Sequence, residues 1–232
     1  MRTEQLALVQ GWADTREALG RWNRRPAVVL RPWALGSLAV AVVLLAATWV
    51  VAENTVADPW SASFPGVTHD ADLEDFGYVL FRNGLVLALH ALACVAGFMA
   101  GSSLPQVAAG YSGVWRRIHE LAGPLAIGFV AAATLFSLGT QAYILGGGAA
   151  TLADHLGISP LLLIAGLLPH ALPELFALFL PLAAWTVSSR RGHWHELLAA
   201  TFVTVAVAVP ILVAAAAVEV WVTPRLLVYL AA

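Results

Sequence analysis

Long apolar runs separated by short polar stretches set the pattern of this sequence. Four of them, residues 33–52, 78–101, 121–145 and 197–222, supply the roughly 20 residues that a helix needs to cross about 30 Å of hydrocarbon. A fifth run, residues 156–188, is longer. The pattern predicts an all-α, polytopic transmembrane helical bundle with five spans.

The fifth run is too long for one helix that stands perpendicular to the membrane. A sixth crossing inside it would place Arg190 and Arg191 outside the cell, against the charge pattern of the loops. We therefore predict a broken or re-entrant segment over residues 158–168, followed by a fourth span that begins near Pro169, since proline is favoured in the first turn of a helix. The sequence leaves open whether residues 158–168 cross the membrane, dip into it or lie flat.

The distribution of arginine predicts the orientation of the chain. Arginines cluster before the first span, in residues 102–120 and directly after the fourth span, whereas residues 53–77 and 147–160 contain none. Because cytoplasmic loops are enriched in basic residues, the N-terminus is expected in the cytoplasm and the C-terminus outside. With 60% apolar and 11% charged residues, the composition excludes an ordinary soluble domain, and a multi-pass plasma-membrane protein is expected.

Residues 1–32 are predicted to form a cytoplasmic amphipathic helix, and residues 33–232 the transmembrane bundle. Two interpretations of this helix are open: it lies on the cytoplasmic membrane surface, or it packs on the protein's own loops. A signal peptide is excluded because both its basic region and its apolar core would be too long. The apolar stripe of the helix consists of Leu8, Trp12, Leu19 and Trp22.

The second span carries small residues four positions apart, namely Ala93, Gly97 and Gly101. Such spacing lets a neighbouring helix approach closely. The neighbour is either another helix of the same chain or a second copy, so the sequence does not decide the oligomeric state. Cys94 is the single cysteine, which excludes an intramolecular disulfide and a cysteine-based metal site.

Several polar side chains interrupt the apolar spans. An ionisable side chain in lipid costs several kcal/mol unless it faces protein or a water-filled cavity. With the five spans threaded in alternating directions at 1.5 Å per residue, four of these side chains fall in the outer third of the membrane. They are Asn83, His170, Glu174 and Glu219, with Arg82 at the same level and His90 two turns further in.

This predicted polar cluster has two interpretations. In the first it is structural: Glu174 or Glu219 pairs with Arg82 and Asn83, and the pairing holds the helices in register. In the second it is a site for an ion, a proton or a substrate, because intramembrane carboxylates and histidines are used in proton relays and coupling sites.

Motifs for other chemistry are not found in the sequence. The His170 and Glu174 spacing lacks the arrangement of a zinc hydrolase, so no metal is expected. There is also no nucleophile elbow, no phosphate-binding loop and no basic surface large enough for nucleic acid. We therefore expect no enzymatic activity, no cofactor and no nucleic-acid partner.

Three stretches resemble sequence blocks of the stage II sporulation protein M family of bacterial and archaeal membrane proteins. LLPHALPEL (167–175) resembles a Pro-His-Gly-x-x-Glu-Leu block, and AAVEVWVTP (216–224) resembles a terminal Glu-x-x-x-Thr-Pro block. FRNGLVLALHALACVAGFMAG (81–101) is similar to an Asn-led, Gly-rich second span. The chain departs from the family pattern at Ala171, where glycine is usual, and at Gln141-Ala142, where Asn-Gly often ends the third span.

The resemblance implies five crossings with the N-terminus inside. It also implies a part in an envelope complex, since sporulating members act in a complex that remodels peptidoglycan. We therefore expect a non-enzymatic scaffold whose partners are membrane lipids and other envelope membrane proteins. The alternative is an ion- or proton-coupled transporter or channel component that uses the polar cluster.

Overall fold

The computed structural model describes residues 7–58, 64–103, 110 and 112–232. Within these ranges the side chains of residues 7–10, 102–103, 115–116, 119–120, 122–124 and 126 are not described. Residues 104–109 and 111 of the predicted inner loop before the third span, and the side chain of Leu8 in the predicted stripe, therefore lie outside the described part of the chain.

The described part of the chain is helical and contains no strand. Two π-helical turns, Met99–Ser103 and Val218–Val222, and one 3-10 turn, Trp194–Glu196, adjoin the α-helices. The α-helices are α1 Ala7–Trp22, α2 Pro26–Glu53, α3 Leu73–Phe98, α4 Gly113–Leu156, α5 Pro160–Arg190, α6 Leu197–Ala217 and α7 Thr223–Ala231.

Five helical stretches within the described ranges are long and apolar enough to cross a membrane. This confirms the predicted all-α bundle with five spans. The first four stretches lie in α2, α3 with its π turn, α4 and α5, and the fifth runs from Trp194 to Ala231. The orientation of the chain stays a prediction.

The predicted break before the fourth span is wrong, because α5 runs without interruption from Pro160 to Arg190. The helix begins earlier than Pro169. The Leu162 N–H donates to Ser159 Oγ at 3.2 Å, so Ser159 is the N-cap of the helix and Pro160 is its first residue. The extra length is compatible with a tilted span. Residues 158–168 thus form a short turn and the first turns of the same helix.

Two further helix ends differ from the prediction. The third span does not end at the glycines of residues 146–148, because α4 continues to Leu156 and ends at Gly157, whose φ is +66°. A left-handed φ suits glycine and stops the helix. The last span does not end at residue 222, because the π turn there is followed by the helix α7.

The helices contribute to two compact units, of which unit 1 comprises residues 1–37, 87–134 and 179–208. Its largest buried side chains include Trp33 and Phe179. The Trp33 ring meets that of Trp22 edge-on, with centroids 5.2 Å apart. Cys94 is buried and its Sγ donates to the Pro181 carbonyl at 3.2 Å.

Helix α1 packs within unit 1 through small residues. Gly11, Thr15 and Ala18 form its buried face, whereas Trp12 of the predicted stripe is 65% exposed. The prediction is wrong for Trp12 because it counted only large apolar residues, whereas Trp22 of the same stripe does pack, against Trp33. The helix contacts the Trp194–Glu196 turn, and Arg21 binds Glu196 at 2.8 Å. The structure therefore agrees with the interpretation in which this helix packs on a loop of the same chain.

Unit 1 also accounts for two of the small residues in the second span. A Cβ on Gly97 would lie 2.6 Å from Trp185 Nε1, and a Cβ on Gly101 would collide with the Trp194 ring. These glycines therefore make room for tryptophan rings of the same chain. Whether the protein also associates with itself stays open.

Unit 2 comprises residues 38–86, 135–178 and 209–232. Its core includes buried Ala52, Ala149, Leu163 and Leu227, from α2, α4, α5 and α7. A second group, Val79, Ala216 and Val220, packs α3 against the end of α6 and the π turn. These contacts place polar residues of α3, α5 and the last helical stretch in the same unit.

Candidate functional site in unit 2

Two residues one helical turn apart on α5 face two residues of the last helical stretch. His170 and Glu174 share a face of α5, because residues four apart lie one above the other. Glu219 lies in the π turn Val218–Val222, and Thr223 is the first residue of α7. His170 pairs with Thr223 and Glu174 with Glu219, an order that requires the two stretches to run antiparallel here.

The first pair is a buried hydrogen bond. His170 Nδ1 and Thr223 Oγ1 lie 2.8 Å apart, and both residues are buried. A hydroxyl can either donate to or accept from an imidazole nitrogen, so the bond forms with either histidine tautomer. It ties α5 directly to the start of α7.

The second pair consists of two carboxyl groups. The Glu174 carboxyl is adjacent to that of Glu219 and to the Asn83 amide, and the Arg82 guanidinium is near enough to act on both carboxyls electrostatically. When one of two adjacent carboxyls carries a proton, one can donate to the other. Arg82 itself is exposed, whereas Asn83 is buried.

This arrangement leaves polar atoms without partners. Glu174 Oε2 and Asn83 Nδ2 are buried and make no hydrogen bond within the described part of the chain. A buried polar atom without a partner costs roughly 1–3 kcal/mol. Such atoms in a folded protein call for an explanation, such as a bound molecule or a functional role.

A cavity of about 480 Å³ opens beside the second pair. Most of its wall is apolar and comes from leucine, isoleucine and alanine side chains of α2, α4 and α5. At its edge the His69 Nε2 lies 3.3 Å from Asp75 Oδ1. The ionisable residues that line the cavity are His69, Asp75, Tyr78, Arg82, His170, Glu174 and Glu219.

The structure brings most of the predicted cluster together but not all of it. Asn83, Glu174 and Glu219 are neighbours, and His170 lies one turn from Glu174. His90 instead belongs to unit 1, where its ring centroid lies 5.5 Å from that of Phe179, and it does not line the cavity. That it extends the cluster inward stays a prediction.

Two functional candidates were missed by the sequence reasoning. Thr223 enters the sequence analysis only as part of the Glu-x-x-x-Thr-Pro block. The threonine of that block was the feature that could have predicted a hydrogen-bonding partner for His170. Thr48 of α2 was overlooked because a threonine in an apolar span is unremarkable. Its Oγ1 is buried at the cavity wall and makes no hydrogen bond to any described residue.

The chemistry available to this site is that of carboxyl groups, imidazole and a guanidinium. Among the described residues, no group of three or more His, Cys, Asp or Glu side chains is arranged to hold a metal ion. The acids and the histidine can exchange protons or bind a hydrogen-bond donor.

In comparisons of sequence and fold, the chain matches no protein-family model, no curated protein and no solved structure.

Proposed function

We propose that this multi-pass, membrane-type protein is a non-enzymatic scaffold of the stage II sporulation protein M type in the plasma membrane. Its N-terminus is cytoplasmic, its C-terminus is outside, and it recruits membrane proteins of an envelope complex of the peptidoglycan-remodelling kind. The observation that carries the proposal is that the two motif blocks bond to each other, through His170 and Thr223 at 2.8 Å.

The hydrogen bond between the two motif blocks supports a scaffold, because it gives these polar residues a structural role within the chain. A buried, hydrogen-bonded polar pair has few alternative arrangements, so it fixes how two helices pack. Glu174 and Glu219 meet one turn away and extend the same contact between α5 and the last helical stretch. A bundle held in one arrangement presents an unchanging surface to its partners.

The test distinguishes a structural role of the Glu174 and Glu219 pair from a role in conduction. Glu174→Gln and Glu219→Gln should each lower the melting temperature of the detergent-purified protein and leave ion and proton flux in proteoliposomes at the wild-type level. Glu17→Gln is the matched control, because Glu17 is exposed on α1 and lies outside the cavity. Envelope membrane proteins should co-purify with the wild-type chain from native membranes.

A second candidate function is an ion- or proton-coupled transporter or channel component. The cavity favours it, since the cavity places the unpartnered Glu174 carboxyl beside a space of about 480 Å³. In that case wild-type vesicles should show a flux that both glutamine variants abolish, while the melting temperature stays near that of wild type. That result would overturn the scaffold.

A further inference from the structure

The geometry points to a binding site for an organic molecule that carries a primary ammonium group on an apolar body, seated in the cavity of unit 2 with its nitrogen at Glu174 and Glu219. This inference rests on neither role proposed above, because neither of them specifies a ligand. It is carried by the size and lining of the cavity, by its unpartnered polar atoms and by its charge.

The cavity has the dimensions and lining of a site for a small organic molecule. Its volume of about 480 Å³ falls within the roughly 300–1,000 Å³ of such sites, which are mostly apolar with a few convergent polar groups. Here Leu163, Ile164 and Leu167 of α5 form part of the apolar wall, and Glu174 and Glu219 are among its few polar residues. A bare or hydrated inorganic ion would leave the apolar wall uncovered.

Two unpartnered atoms indicate which groups the ligand must offer. Glu174 Oε2 and Thr48 Oγ1 belong to residues of the cavity wall, are buried, and make no hydrogen bond to any described residue. A carboxylate oxygen accepts hydrogen bonds, so Glu174 calls for a donor. A primary ammonium has three N–H groups to offer to the neighbouring carboxyls of Glu174 and Glu219. Thr48 is a further polar point on the wall, and its hydroxyl can donate or accept.

The charge of the lining selects a cation over an anion. Asp75, Glu174 and Glu219 are carboxyl-bearing, and the single guanidinium is that of Arg82. Arg82 is exposed. His69 is already engaged with Asp75, and His170 with Thr223. Asp75 is likewise engaged with His69, so Glu174 and Glu219 are left facing the single guanidinium of Arg82. One of these two carboxyls therefore has no counter-cation in the wall, and an ammonium ligand can supply it.

The test measures binding of hexylammonium to the full-length protein by calorimetry at neutral pH, in nanodiscs of phosphatidylcholine, a lipid without an N–H donor. We expect saturable binding at one site. Hexyltrimethylammonium has the same charge and chain but no N–H group, and it should bind at least about tenfold more weakly, as loss of charge-assisted hydrogen bonds implies. Hexanoate, which is an anion, and ammonium chloride, which has no apolar body, should not compete.

Two neighbouring glycines of α4 give a matched pair of variants. Gly148 lines the cavity, is exposed, and an added Cβ there meets no atom within 4 Å, so Gly148→Leu should narrow the cavity and weaken binding at least about tenfold. Gly147 has equally open surroundings at its Cβ but does not line the cavity, so Gly147→Leu should bind as wild type does. If Gly148→Leu melts far below wild type, the smaller Gly148→Val replaces it, with a loss of binding expected in the same direction.

Three results would overturn the site: no saturable binding, equal affinity in wild type and Gly148→Leu, or equal binding of hexanoate. Equal affinity would mean that the amine only partitions into lipid. Adding phosphatidylethanolamine, whose head group is a primary ammonium, identifies the source of the ligand. Competition with hexylammonium would point to the lipid, and its absence to a free amine. Failure of binding leaves the flux and co-purification results intact, so it is distinguishable from failure of the proposed function.

Discussion

His170 and Thr223 are joined by a buried hydrogen bond of 2.8 Å between Nδ1 and Oγ1, although 53 positions separate them in the chain. The bond connects the middle of α5 with the first residue of α7. It gives the polar cluster a structural function that can be tested separately from any binding at Glu174 and Glu219.

Thr223→Val should destabilise the protein by about 1–3 kcal/mol, because the change keeps the side-chain shape and removes the partner of His170 Nδ1. The measurement is reversible unfolding of the purified protein in detergent. Thr140→Val is the matched control, since Thr140 is exposed and its hydroxyl bonds only the Phe136 carbonyl of its own helix. Equal stability of the two variants would show that the interhelical bond contributes nothing.

Arg21→Met should loosen α1 from the Trp194–Glu196 turn. Arg21 is half-exposed and binds the buried Glu196 carboxylate at 2.8 Å, and its loss should cost about 1–3 kcal/mol because Glu196 stays buried. Hydrogen exchange of the α1 amides should speed up accordingly. Arg24→Met, at an exposed position just after α1, should leave exchange unchanged. Unaltered exchange in Arg21→Met would contradict the prediction.

Gly97→Ala should destabilise the protein by about 1–3 kcal/mol through overpacking. Its Cβ would lie 2.6 Å from Nε1 of Trp185 and 2.9 Å from Cδ1 of Leu197, and both of these side chains are buried. Gly128→Ala has open space around the new methyl and should stabilise its helix by about 0.5–1 kcal/mol. Thermal unfolding of both variants in detergent checks the opposite signs. A stabilising Gly97→Ala would refute the close contact.

The predicted orientation can be read with a membrane-impermeant maleimide on whole cells. The native Cys94 is buried, so it should give little background. A cysteine in place of exposed Asp70 should be labelled from outside, whereas one in place of exposed Arg191 should require permeabilisation. The reverse pattern would place the N-terminus outside.

The constraints that a lipid bilayer places on a polypeptide explain why so much of the fold could be predicted from the sequence. A helix that must cross hydrocarbon needs a long apolar run, so five such runs predicted five spans. Polar groups in lipid must find one another, and depth alone brought Asn83, Glu174 and Glu219 into one cluster.

The features that were missed depend on packing, which residue type alone does not reveal. The face of α1 consists of Gly11, Thr15 and Ala18, whose value lies in being small. The cavity beside Glu174 is the space that side chains of several helices leave unfilled, so no single stretch of sequence encodes it. The contact between the His90 and Phe179 rings could not be predicted either, because depth counting cannot tell which neighbour a side chain will meet.

The π turn Val218–Val222 changes the direction in which the residues after it point from the last helical stretch. A π turn holds one residue more than an α turn, so everything after it is rotated by about 100° relative to an unbroken α-helix. If residues 218–222 closed into a regular α turn with the sequence unchanged, Thr223 would turn away from His170 even if Glu219 kept its place. The wide turn therefore keeps both contacts in alignment, and closing it would cost one of them.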